Sequence, residues 1–490
     1  MRHLRIISTI LFLAAMTTTA VAQIVSPVDF MRNNPRSVFA NPATFTSDYG
    51  YFDLFLGGIN LGFQNTGLKY DRFFEFNNSG QPTVLNLDQG VASLRDVNYL
   101  NSYLTYDIFH CGRRTNYGYF TFTHRLRYIE TASYTDDLIL LLAKGNASFL
   151  GESNPADINV NLSARVFQEF SAGYQMCLTD KLNIGMRMKL LMGYIDARTN
   201  TLNTKIYTDP DTYALSITAD ADLQATIPYE LRYANGSIGV VDSRFDVTNL
   251  FKNYGFGIDL GAEYQLTDQI GVAAAINDLG FIKWNNYSTK LTGGIQDGGS
   301  FYQNGAFVFS GLTSDQVNGM LNDPNYLSHL TDSLVDYFNI TPESMTKYTT
   351  GLNTNMMVRG WFDVTPQHRL SAQFMGYNMG LGMKPAMTLA YSGSFSDKYD
   401  VVATYTMMNG SYDNIGIGLS ANLGGLMLYV ASSNVLGFFN PANISQLNLQ
   451  FGISFTSGEK AKRRECIVIG GDAYEEIGDD APDYSNMSSN

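Results

Sequence analysis

Tyr254-Gly-Phe-Gly-Ile-Asp-Leu-Gly-Ala-Glu-Tyr-Gln-Leu266 places an apolar side chain at every second position. The intervening positions are Gly255, Gly257, Asp259, Gly261, Glu263 and Gln265. A period of two means a strand whose two faces meet different surroundings. Leu182 to Tyr194 repeats the pattern, with Ile184, Met186, Met188 and Leu190 opposed by Arg187 and Lys189. Leu447 to Phe455 repeats it again. Such long strands suit a tilted membrane crossing better than a globular sheet.

Working outward, four tight connections share one chemistry: Leu178 to Lys181, Leu266 to Gln269, Val364 to Gln367 and Phe395 to Lys398. Thr-Asp, Thr-Pro and Ser-Asp at their centres favour turns through local hydrogen bonds and a preset φ. The other connections are long, near 65–99, 130–165, 197–252 and 280–350. Short turns on one rim and long loops on the other predict an all-β fold, a transmembrane antiparallel β-barrel of the outer membrane. Fourteen strands are placed near 51–64, 101–110, 116–129, 167–178, 182–196, 253–266, 269–279, 352–363, 368–377, 384–395, 399–408, 413–422, 425–433 and 445–456. Strand-like text in 198–228 is assigned to hairpin extensions of an outer loop. Short helices are expected over 135–144 and at Tyr326 to Asn339, as lids or as gating and partner-binding surfaces.

The remaining segments complete the organisation. Residues 1–22 read as a signal peptide: basic Arg2 and Arg5, apolar Ile6 to Met16, and small residues in Ala20-Val21-Ala22. Residues 23–50 lack alternation and read either as a periplasmic lead-in or as a short hatch folded into the lumen; apolar Phe30, Val38, Phe39 and Phe45 favour the hatch. The barrel occupies 51–456, and 457–490 is expected to be a disordered periplasmic tail.

Composition excludes several classes. A net charge of −13 disfavours nucleic acid as a partner. Three scattered cysteines, Cys111, Cys177 and Cys466, give neither a disulfide framework nor zinc spacing. No catalytic fingerprint appears, so no enzyme, metal or cofactor is expected. Tyr119, Arg125 and Arg127 share the lumen face of one strand, and Arg187, Lys189 and Arg359 point inward from others, as do Glu169, Asp259, Glu263, Asp363 and Asp400. These charges either brace the barrel as internal ion pairs or, through Tyr119, Arg125, Arg127, Arg187, Lys189 and Arg359, bind the acidic head of an amphipathic ligand.

Ser37-Val-Phe-Ala-Asn-Pro-Ala43, the Asp137 to Asn146 helix, Phe256 to Tyr264, Ile276 to Trp284 and Phe439-Asn-Pro-Ala442 together resemble an uncharacterised Bacteroidota barrel family within the long-chain fatty-acid transporter superfamily. The resemblance implies a hatch-plugged barrel, often with a lateral wall opening, that passes hydrophobic molecules. Asn41 and Pro42 carry over as structural hatch residues. The superfamily also includes a type IX secretion barrel. Expected partners are therefore outer-membrane lipids, a hydrophobic small molecule, or a periplasmic or secreted protein.

Overall fold

The computed structural model describes residues 25–456, apart from 45–49, 77–81, 116–117, 152, 213–214, 228–229, 235–236, 243–250, 287, 296–306, 310–340, 345–346, 379, 397, 409–410 and 440–444. The expected signal peptide, the Tyr326 to Asn339 helix, most of the Phe439 to Ala442 motif and the tail lie outside the described residues.

Among the described residues, fourteen strands close into one barrel. They are β1 Tyr51–Asn65, β2 Val97–Arg114, β3 Tyr119–Thr135, β4 Val160–Thr179, β5 Leu182–Thr208, β6 Tyr254–Gln265 and β7 Ile270–Trp284. β8 Asn355–Asp363, β9 His368–Asn378, β10 Met383–Phe395, β11 Tyr399–Met408, β12 Ser411–Asn422, β13 Leu426–Ser432 and β14 Gln446–Thr456 complete the set. Each pairs antiparallel with the next, and β14 pairs antiparallel with β1, so no barrel edge is left. A closed sheet satisfies its backbone internally, which a hydrocarbon surround demands.

The exposure pattern shows which medium lies outside. Tyr254, Phe256 and Leu260 of β6 are exposed, whereas Asp259 is fully buried. On β5, Met186, Met188 and Leu190 are exposed while Arg187 and Lys189 are buried. A water-surrounded protein would do the reverse; here the apolar face meets lipid and the polar face meets the lumen. No described helix is long and apolar enough to cross a membrane, and the crossings are made by strands. The protein is an outer-membrane type of barrel.

The four tight connections sit where expected, closed by bonds such as Leu266 N–H to Ile270 O at 2.9 Å and Val364 N–H to His368 O at 2.9 Å. The helix Asp136–Lys144 forms and stops at Gly145, whose φ of 74° suits a residue without Cβ. Several strands are longer than read from the sequence. β5 runs 27 residues to Thr208 and pairs beyond the barrel with a strand at Leu215–Thr226, which also pairs with Ser288–Ile295. The outer-loop text is thus hairpin extension, continuous with the wall. A second small hairpin, Phe74–Phe76 with Pro82–Leu85, lies in the loop after β1.

Among the register shifts along the described wall, two turn inward- or outward-facing residues off the alternation at the site. On β1 the register shifts between Phe52 and Ile59, and Leu54, Phe55 and Leu56 are all exposed, with Phe55 at φ 57°. On β7 the shift places Asn277 and Asp278 both inward, with Asp278 at φ 59°.

Candidate functional site

Residues 25–44 lie inside the barrel. Two short 3₁₀ turns, Pro27–Phe30 and Pro35–Phe39, carry the chain, each with Pro at its start and a side-chain cap from Ser26 or Asn34. Val28, Phe30, Met31, Val38 and Phe39 are buried. Turns rather than strands suit this segment because a lumen wall already paired around its circumference offers no free ladder to join.

The wall is cut to receive it. Asn41 donates from Nδ2 to Ala262 O at 3.3 Å, and its Oδ1 accepts Ala43 N–H at 2.9 Å. Pro42 lies against Gly185: a Cβ there would fall 2.0 Å from Pro42 O. A Cβ at Gly261 would fall 1.9 Å from Asn41 Oδ1. Glycines on β5 and β6 therefore make the seat of the Asn41-Pro42 corner. Gly261→Ala is expected to displace residues 41–43; overpacking of this kind costs about 1–3 kcal/mol, which would raise the rate of tryptic cleavage after Arg36 about 5- to 150-fold. Gly360→Ala, with nothing within 4 Å of its added Cβ, is the control expected to change nothing.

Polar contacts pin the segment around the wall. Asn33 donates to both oxygens of Asp400, Asn277 Nδ2 donates to Ala40 O at 2.8 Å, and Thr44 donates to Glu263. Arg36 reaches three wall groups: Asp53 at 2.6 Å, Asp107 at 3.2 Å and Ser454 Oγ at 2.9 Å. Arg359 donates to Asp29 O at 2.8 Å and to Gln373, and its guanidinium lies 4.3 Å from the Phe30 ring centroid.

Four of the sequence-predicted residues come together on adjacent strands. Arg125 and Arg127 of β3 meet Glu169 of β4 at 3.3 and 2.9 Å. Arg127 also binds Asp278 at 2.8 Å. Lys189 bridges Asp259 at 2.7 Å and Asp278 at 2.5 Å, and Arg187 binds Asp259. Within this cluster four cations meet three carboxylates, and Asp107, one of the two acids around Arg36, faces Arg125 from the other side. Arg125 carries the looser end: its Nε and Nη2 have no hydrogen-bond partner. The Phe39 ring covers it, 3.7 Å from the guanidinium carbon, and lies 4.8 Å from that of Arg187. Tyr119 stands apart from this cluster, stacked on Tyr51 at 6.2 Å, and Arg359 is separate again. Asp363 pairs instead with Arg369 near the short-turn rim, at 2.7 Å.

Sequence reading missed Arg36 and Asp278. Alternation along β7 assigns Asp278 to the lipid face with Ile270, Val272 and Ile276; an acid on an apolar face was the available signal of a bulge. Arg36 sits in a segment without periodicity, so nothing local marked it.

Two cavities described between the segment and the wall are small. Cavities between segment and wall measure about 20 Å³ beside Arg36, Phe39 and Arg125, and about 10 Å³ beside Val38 and Tyr119. Each has room for about one water. With the segment seated, these spaces hold no organic ligand.

Burial pushes the Asp29 carboxyl up to about 6, against the lowering by the Ser26 N–H and by Arg359. Its ionised form disfavours the seated state, so seating is strongest in acid and weakens as pH rises through about 6. The ratio of wild-type to Asp29→Asn cleavage after Arg36 cancels the protease's own pH response. That ratio is expected to be about tenfold higher at pH 7 than at pH 5, since one bound proton changes an equilibrium up to tenfold per unit.

Residues 42–433 match the family of unknown function DUF5723. The chain belongs to this family. No curated protein matches the sequence. Among solved structures, the chain is similar to a Pseudomonas aeruginosa FadL homologue at 9% identity, covering 90% of this chain and 100% of that one, with a TM-score of 0.40. It is similar also to the Pseudomonas putida toluene transporter TodX, at 10% identity over 90% and 99% of the two chains and a TM-score of 0.37. The Ralstonia pickettii toluene transporter TbuX follows at 8% identity, 88% and 98% coverage and 0.31. At these values the likeness carries no argument about cargo, and the fold of this DUF5723 chain rests on its own strand pairings.

Proposed function

We propose that this protein is an exported outer-membrane barrel that binds or passes a hydrophobic or amphipathic small molecule, with residues 23–50 as its hatch. On this reading residues 1–22 direct export and 457–490 lie in the periplasm. The observation that carries the proposal is the occupied lumen: an apolar-cored segment lies in it, held by polar contacts at its edges. A general porin needs a water-filled channel, and the seated segment leaves about one water's room at the contacts described.

The lumen cations enter this reading through Phe39. Withdrawal of the segment would uncover Arg125 and Arg187 together. An amphipathic ligand could then place its apolar part where Phe39 lay and its acidic head against Arg125. Asn41 and Pro42 set the resting position of the hatch, Arg359 ties it to the wall, and Tyr119, Arg127 and Lys189 belong to the surrounding wall.

A second reading, a protein-partner barrel for secretion or surface assembly of the type IX kind, is favoured by the wall extension at Leu215–Thr226 and Ser288–Ile295, which offers sheet surface beyond the barrel. Mass spectrometry of the barrel extracted gently from its own membrane separates the two. A stoichiometric apolar or amphipathic compound is the expected result. A stoichiometric protein with no small molecule would favour the second reading, and large steady conductance of the wild-type barrel in planar bilayers would remove both in favour of a porin.

A further inference from the structure

The long-loop rim carries a cavity of about 310 Å³ at the upper end of β1, between the loop that follows it and the starts of β12 and β14. That volume lies in the range of small-molecule sites, roughly 300–1,000 Å³. Lys69, Arg72 and Arg95 line it, and no described lining residue is acidic. In a protein of net charge −13, three cations lining one cavity stand out.

A second observation points to a ligand. Gln64 and Ser445 also line the cavity and are buried, at 1% and 4% exposure. Gln64 Oε1 accepts from Asn101 at 2.8 Å, but Gln64 Nε2 has no hydrogen-bond partner, and neither has Ser445 Oγ. Buried polar atoms are ordinarily paired, so unmet ones mark a place where an acceptor is missing. Arg72 meets Asp71 at 4.0 Å, the outer limit of an ion pair and in contact with water, so its fork remains available. Two unmet hydroxyl and amide donors beside ammonium and guanidinium groups match one chemistry: an oxyanion with several acceptor lone pairs.

We propose that this rim cavity binds the oxyanion group, carboxylate or phosphate, of a ligand arriving from the long-loop side. The site is separate from the lumen cluster and does not depend on what the lumen carries.

The test uses the full-length barrel in neutral detergent and three probes in equilibrium dialysis: inorganic phosphate, octanoate and octanol. Saturable binding of phosphate or octanoate is expected, weakened at least tenfold in the Lys69→Gln/Arg72→Gln/Arg95→Gln variant and by added salt. Octanoate tighter than phosphate identifies the head of an amphiphile; equal or weaker octanoate identifies a free oxyanion, and either supports the site. Gln64→Leu keeps all three charges and removes one unmet donor, so it should weaken binding severalfold, and heat-modifiable migration confirms that each variant is folded. Absence of saturable anion binding, octanol bound as tightly as octanoate, or unchanged affinity in both variants would overturn the proposal. Phosphate binding by a barrel that yields no apolar compound would leave this site standing while sinking the proposed cargo.

Discussion

Arg36→Leu is expected to turn a closed barrel into a conducting one. The wild-type guanidinium ties the lumen segment to Asp53 on β1, Asp107 on β2 and Ser454 on β14, the strands at which the barrel closes. Close packing makes this possible, because a Cβ at Gly58 would fall 2.6 Å from Arg36 Nε. Removing the cation leaves two buried carboxylates facing each other, and breaking a buried pair this way costs about 3–5 kcal/mol. Withdrawal of residues 25–44 is the cheaper escape, since it lets water reach both acids. Planar-bilayer recordings should show open steps in Arg36→Leu and near silence in the wild type. Adding Asp53→Asn and Asp107→Asn should restore most of the silence if charge rather than shape drives the release. A silent Arg36→Leu barrel would mean that the segment is seated by its apolar contacts alone.

Glu169→Gln is expected to have the largest effect on stability. This carboxylate lies within 4 Å of Arg125, Arg127 and Lys189, all buried. Its loss leaves Asp259 and Asp278 as the remaining acids of the cluster against its four cations. A loss of about 3–5 kcal/mol follows from leaving buried charge uncompensated. The urea midpoint of the heat-modifiable form should fall accordingly. Asp363→Asn is the comparison: its pair with Arg369 is partly in water, so its loss should cost below about 1 kcal/mol. Equal midpoints for the two variants would show that the lumen cluster is solvated and not a brace.

Both expectations bear on the ligand-head role of Arg125, Arg127, Arg187 and Lys189. Direct alanine substitution at these positions mixes loss of bracing with loss of binding. The Phe39 ring separates them: Phe39→Ala leaves every ion pair intact while uncovering Arg125 and Arg187.

The sequence by itself determined the barrel. Alternation in Tyr254 to Leu266 and its repeats places one face outward and one inward, because a strand has only two faces and lipid tolerates only one chemistry. The short turns mark one rim for the same local reason: Asp, Pro and Ser fix φ and hydrogen bonds within four residues. Inward charge on Arg125, Arg187 and Lys189 followed from that parity. Partnership did not. Which acid meets which base depends on register between strands far apart in sequence, and the β7 bulge moves Asp278 from the lipid face to the centre of the cluster. The lodging of residues 25–44 is likewise tertiary. Nothing periodic in that segment names its contacts, and Gly185, Gly261 and Gly58 read as ordinary strand glycines until the segment lies against them.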